Sequence, residues 1–152
     1  MRVLIQNVDR ASCTINNKIV GEISRGFCVF VGFTPGDTKE RVERMVNKLV
    51  SLRLFDDENG KTNLSLNDIN GAILSISQFT LYASLKDGRR PSFVNAMRPD
   101  DATKLYDYFN ECLRNTGIHI ETGVFGAEML IDLINHGPFT TILDSEELGL
   151  WK

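Results

Sequence analysis

The sequence predicts an α+β fold, a mostly antiparallel sheet with two main helices. Strand-like segments outnumber helical ones by about three to one on hydrophobic periodicity, and only two windows repeat apolar residues at helical spacing. No repeat, low-complexity tract or long linker divides the 152 residues, so a single domain over 1–152 is expected. A chain of this length buries most of its apolar surface around one core. A sheet this large with two helices leaves one face uncovered, which points to closure into a barrel or burial against a second copy.

Residues 2–33 alternate and then run apolar, as in Val3-Leu4-Ile5, Ile19 to Ile23 and Phe27 to Val31, with turn signals at Asn16-Asn17 and Gly26. About three strands follow from that pattern. Asp37 and Glu40 have the spacing of a capping box, and Val42, Met45, Val46, Leu49 and Val50 then predict a helix over 38–51. Leu52 to Phe55 reads as a strand ending in the turn Asp56 to Gly60, and Ala72 to Ala83 is a β-rich run read as further strand. A second helix begins after Pro99 with Asp100 or Asp101 as cap, carries Leu105, Phe109, Cys112 and Leu113 on one face, and stops near Gly117. Strands are expected again at Ile118 to Thr122, Met129 to Ile134 and Phe139 to Leu143.

Composition narrows the function. Hydrophobic residues at 42% and charged residues at 24% describe a folded domain, with neither a signal-peptide pattern nor the roughly 20 apolar residues of a membrane span. A cytosolic protein without a membrane partner is expected. Cys13, Cys28 and Cys112 lie far apart and read as core, since a nucleophilic cysteine needs a histidine such as His119 or His136 beside it. His119 and Glu121 share one face of a strand, but two ligands do not make a metal site, and neither a phosphate-cradling loop nor a dinucleotide fingerprint occurs. No metal and no cofactor are expected. A net charge of −3 removes the broad basic face of most nucleic-acid binders, so any RNA contact is local and no DNA partner is expected. Lys86, Arg89 and Arg90, in a turn-forming stretch, are the candidates for it; a solvated basic loop is the other reading.

Two segments stand out. Ser77-Gln78-Phe79-Thr80-Leu81 puts polar side chains at the end of an apolar strand, where they serve either as local backbone partners or as catalysts. Asn135-His136-Gly137-Pro138-Phe139-Thr140 reads as a hairpin turn between two strands, or as a site whose Gly-Pro peptide bond is cis and so sets the direction of two carbonyls.

Taken together, these segments resemble the two signatures of the D-aminoacyl-tRNA deacylases. The likeness extends to Leu4-Ile5-Gln6, Arg10-Ala11-Ser12, Gly88 to Phe93, Leu105 to Phe109 and Thr122 to Met129. Asn7, where such proteins commonly have arginine, and Phe139, where they usually have valine, depart from the pattern. The resemblance implies a homodimer with a β-barrel-like fold that hydrolyses the ester of D-aminoacyl-tRNA and of mischarged glycyl-tRNA. It implies catalysis at Ser77, Gln78, Phe79 and Thr80, with the Phe79 and Thr80 N–H groups holding the developing oxyanion. It also implies chiral exclusion of L-aminoacyl-tRNA by a cis Gly137-Pro138 acting across the dimer. Phe125, Ala127, Met129 and Asn135 would line the pocket, with Lys86, Arg89 and Arg90 toward the tRNA. The reading from another class is a non-catalytic nucleic-acid-binding module on the same fold.

Overall fold

The computed structural model describes residues 1–150. Strands β1 (Arg2–Ile15), β2 (Lys18–Ile23) and β3 (Gly26–Gly32) come first, then helix α1 (Lys39–Ser51). The short β4 (Phe55–Asp56) and β5 (Thr62–Leu64) form a small separate sheet. They are followed by β6 (Ala72–Ser77), a 3-10 turn over Phe79–Tyr82, helix α2 (Pro99–Arg114), β7 (His119–Thr122) and β8 (Leu130–Asp144). In the main sheet, β1 pairs antiparallel with β2, β3 and β8, while β3–β6 and β6–β7 are parallel. The sheet is therefore mixed. With β2 packing across β6 and β7 it curls into a nearly closed barrel.

Alternation along the strands divides the core in two. Val3, Ile5, Phe27, Val29, Val31 and Ile73 face the helices, meeting Val42, Met45 and Leu49 of α1 and Ala102, Phe109 and Leu113 of α2. Val8, Ala11, Cys13, Cys28, Leu74 and Ile76 fill the barrel side, closed by Met129, Ile131 and Leu133. Both faces of β3 and β6 are buried, which accounts for their unbroken apolar runs.

Five expectations are corrected. The cap of α1 is Thr38, whose hydroxyl accepts the Arg41 N–H at 3.3 Å. Asp37 is committed elsewhere: its carboxylate takes the Met1 amine at 2.7 Å, Arg41 at 2.9 Å and the Thr34 N–H at 2.8 Å. Helix α2 starts on Arg98 with Pro99 in its first turn, and Asp100 and Asp101 complement the positive end of the helix dipole instead of capping it. Its buried face is Ala102, Tyr106, Phe109, Asn110 and Leu113, rotated by one residue so that Leu105 and Cys112 lie at its margin. Residues 52–54 are not strand; only Phe55–Asp56 pairs, and the Phe55 ring stacks on Phe27 at 5.0 Å. The run over 72–83 breaks at Ser77 into the 3-10 turn, because its partner β3 ends at Gly32. Among the described residues no helix is long and apolar enough to cross a membrane.

Candidate active site

The end of β6 and the turn that follows wall a cavity of about 270 Å³. The Gln78 N–H makes the last rung, to Val31 O at 2.7 Å, and the chain then coils. Phe79 and Thr80 open the 3-10 turn, so their N–H groups have no partner within it, and no other acceptor engages them among the described residues. The Gln78 side-chain amide donates to the Thr80 hydroxyl.

Opposite stands the segment between β7 and β8. Phe125, Gly126, Ala127 and Met129 line the cavity with Ile76, Ser77, Gln78, Phe79 and Ile131. None of these side chains is titratable. The Phe125 ring leans on Tyr106 of α2 at 6.0 Å between centroids, and the buried Tyr106 hydroxyl donates to Ser75 O at 2.7 Å. One helix residue thus sets both walls.

Two residues that the sequence reading passed over hold the turn. A β-carbon on Gly32 would stand 2.9 Å from Gln78 O and 3.1 Å from Leu81 Cβ, so only glycine lets the end of β3 lie against it. A glycine inside a strand pattern is the available sign of such an approach. Arg2 donates to Leu81 O at 2.9 Å and to the Asp144 carboxylate at 2.7 Å, and lies over the Tyr82 ring at 4.6 Å. Burial raises the Asp144 pKa, but hydrogen bonds from Arg2 and from the Glu146 N–H outweigh it and leave the carboxyl below its ordinary range.

The second motif is not a hairpin turn. Strand β8 pairs with β1 on both sides of it, Val8 opposite Asn135 and Gln6 opposite Thr140, so residues 136–139 form a bulge facing Asn7 alone. Asn135 is not part of the cavity wall. Its side-chain amide closes the base of the bulge, donating to Asn7 O at 3.0 Å and to Phe139 O at 2.9 Å. The Asn7 side chain turns away and donates to Leu54 O, while His136 Nδ1 lies 2.9 Å from Asp9. The Gly137–Pro138 bond is cis, and both residues are exposed and outside their own chain's cavity. One chain therefore does not bring the two motifs together. The bulge stands in the outward row of β8, which exposes Leu130, Ile134 and Ile142.

Lys86, Arg89 and Arg90 project from the loop closed by the Ser84–Ser92 bridge and form no ion pair among the described residues. The thiols are poor nucleophiles: burial raises Cys13 and Cys112 and pushes Cys28 up to about 12. His119 pairs with Glu121 at 3.0 Å and His136 with Asp9, so each ring has a carboxylate partner.

A family model described as D-Tyr-tRNA(Tyr) deacylase matches residues 4–144. The chain is 54% identical over 144 residues to a protein of Lactobacillus gasseri named D-aminoacyl-tRNA deacylase, covering 95% of this chain and 99% of that one. A Listeria monocytogenes protein of the same name is 51% identical over 148 residues, covering 97% and 98%. Among solved structures, one titled c-Myc DNA Unwinding Element Binding Protein superposes with a TM-score of 0.88 at 39% identity, covering 95% of this chain and 98% of that one. Another, titled as a probable eukaryotic D-amino acid tRNA deacylase, gives a TM-score of 0.83 at 22% identity over 93% and 97% of the two chains, a likeness of fold.

Proposed function

The chain belongs to the D-Tyr-tRNA(Tyr) deacylase family, and from that premise we propose that it hydrolyses the ester of D-aminoacyl-tRNA, and of mischarged glycyl-tRNA, at the cavity beside Ser77 to Thr80. The observation that carries this reading is a pair of adjacent N–H groups without an acceptor among the described residues, that of Phe79, which lines the cavity, and that of Thr80 next to it, beside a lining that holds no titratable side chain. Such a site performs ester hydrolysis by placement and charge stabilisation. A water oxygen attacks the ester carbonyl, and the two N–H groups take the negative oxygen that forms, each preorganised donor supplying about 3–4 kcal/mol. The neighbouring hydroxyl of the terminal ribose accepts the water's proton and passes a proton to the departing ribose oxygen. The products are free amino acid and tRNA.

In this mechanism the Thr80 hydroxyl orients and does not attack; it already receives the Gln78 amide and has no base beside it. Thr80→Val is therefore expected to retain kcat within about tenfold, far from the 10²–10³-fold loss of an oxyanion donor. Abolished turnover with a trapped acyl-enzyme would establish Thr80 as the nucleophile instead.

Chiral selection is assigned to Gly137 and Pro138 of a second copy. Their carbonyls would hold the substrate amino group and fill the space an L side chain needs, whereas a D side chain points outward and glycine has none to exclude. The exposure of the bulge, its absence from its own chain's cavity and the apolar row of Leu130, Ile134 and Ile142 support a homodimer that carries one chain's bulge to the other's cavity. Light scattering at micromolar concentration is expected to read twice the 17.1 kDa of the chain; a monomer would remove this arrangement. The unpaired Lys86, Arg89 and Arg90 face the tRNA in this reading, and the whole chain acts as one domain in the cytosol.

The 39% identical solved structure whose title names a DNA element favours a second reading, a nucleic-acid-binding module without catalysis. Binding that falls steeply with salt, together with no cleavage of any aminoacyl ester, would support it. The net charge of −3 weighs toward the deacylase.

A further inference from the structure

The buried phenol of Tyr106 takes no part in the proposed hydrolysis, yet it sits where the two walls of the reaction cavity are tied together. Ser75 O, two residues before Ser77, accepts from the Tyr106 hydroxyl at 2.7 Å and from the Gly123 N–H at 3.1 Å. One carbonyl thus links β6, which runs into the 3-10 turn, to helix α2 and to the end of β7, whose Thr122 is the register partner of Ser75. Gly123 opens the 123–129 segment and is tightly fitted. A β-carbon there would stand 2.5 Å from Met129 Sδ and 3.2 Å from Ile76 Cδ1, both in the cavity wall. Phe125 has less support: it borders both the reaction cavity and another of about 480 Å³ that Tyr106, Asn110 and Gly123 also line, and its ring leans on Tyr106.

Asn110 lies one helical turn beyond Tyr106 and is only 4% exposed. Burial raises the Tyr106 pKa, and hydrogen bonding with Ser75 and with the Asn110 side chain opposes that rise, so the hydroxyl is held from two directions. Asn110 Oδ1 has no hydrogen-bond partner among the described residues. An apolar side chain would fill this position without leaving a buried acceptor unsatisfied, so the amide costs stability, and what it supplies is its contact to Tyr106.

We propose that Tyr106, oriented by Asn110, is a positioning residue that fixes the Phe125 wall relative to the Phe79 and Thr80 N–H groups, and so sets how the bound ester meets them. The inference rests on the deacylase reading, since that reading puts the ester in this cavity. Tyr106 does not line the reaction cavity and acts through Ser75 and Phe125. Its ring gives Phe125 an apolar surface to rest on, while its single donor proton is directed at Ser75 O. With open space beside Phe125, the hydrogen bond and not close packing decides the spacing of the walls.

The test measures kcat and KM for D-tyrosyl-tRNA in the full-length protein and in Tyr106→Phe, Asn110→Leu, the double variant and Tyr108→Phe, at a temperature where circular dichroism shows each to be folded. Tyr106→Phe keeps the ring and loses the tie. It is expected to lower kcat by about 2- to 10-fold, the factor one net hydrogen bond is worth, with KM unchanged. Asn110→Leu should lower kcat by less, and the double variant should match Tyr106→Phe, because Asn110 acts through a hydroxyl that the double variant lacks. Tyr108→Phe removes a hydroxyl of the same helix that donates to Glu43 of α1, and it should keep the kcat of the unsubstituted protein. An unchanged kcat in Tyr106→Phe, a loss confined to KM, or losses that multiply in the double variant overturns the proposal. So does an equal loss in Tyr108→Phe, which would make the effect one of general helix stability. Failure of the unsubstituted protein to cleave the ester at all would instead refute the deacylase reading, and this inference with it.

Discussion

Gly32→Ala is expected to lower kcat/KM for D-tyrosyl-tRNA by about 10²-fold, the cost of misplacing catalytic groups by about 1 Å, while the protein stays folded. The added β-carbon would lie 2.9 Å from Gln78 O and 3.1 Å from Leu81 Cβ. The first of these is backbone and cannot rotate aside. Either β3 retreats from its pairing with β1 and β6, or the 3-10 turn moves. The turn is the softer element: beyond the Gln78 rung it is held mainly by the Arg2 bond to Leu81 O, whereas β3 is hydrogen-bonded on both sides. Displacing it re-aims the Phe79 and Thr80 N–H groups together. Overpacking of this kind costs about 1–3 kcal/mol of stability, which a chemical denaturation curve would register as a shifted midpoint with an unchanged slope. Full activity in a folded Gly32→Ala protein would show that the turn does not position the reaction.

Asn135→Ala is expected to act from the other motif. Its side-chain amide is the clamp across the base of the 136–139 bulge, and without it the carbonyls of Asn7 and Phe139 lose a donor. Two hydrogen bonds of about 1 kcal/mol each set the stability loss near 2 kcal/mol. The larger consequence is functional, because a loosened bulge no longer presents Gly137 and Pro138 to the partner cavity in one place. Cleavage of the D ester should fall by about 10²-fold, and the preference for D over L should narrow in the same protein. Asn135→Asp sharpens the test: a carboxylate matches the shape but accepts where the amide donates, and so faces two carbonyls it cannot bond. It should be at least as impaired as the alanine variant. An active, selective Asn135→Asp protein would contradict the clamp.

Local chemistry made part of this legible. The polar cluster Ser77 to Thr80 and the Gly137-Pro138 pair are contiguous in the chain, and helix periodicity located α1 and α2 to within about two residues, the usual play of helix ends. What the sequence concealed depends on partners distant in the chain. Phe79, Leu81 and Tyr82 are good strand formers, yet they coil because β3 has already ended at Gly32. The stretches on either side of the bulge look like two strands joined by a turn, and only their common pairing with β1 makes them one. Asp37 resembles a helix cap until its carboxylate is claimed by the Met1 amine, 36 residues away. Tyr106 lies on the buried face of α2 because its hydroxyl reaches Ser75 O, an acceptor that no periodicity reveals. Arg2 escaped notice for the same reason, since its partners Leu81 and Asp144 belong to the turn and the far end of β8.

The central claim, that this site cleaves aminoacyl esters and selects them by chirality, is tested most directly by deacylation of matched D-tyrosyl-, L-tyrosyl- and glycyl-tRNA by the purified protein, with and without a chelator. The expected result is cleavage of the D and glycine esters, survival of the L ester, and no effect of the chelator. Cleavage of the L ester at the same rate would contradict the role given to Gly137 and Pro138, and failure to cleave any of the three would contradict the deacylase assignment itself.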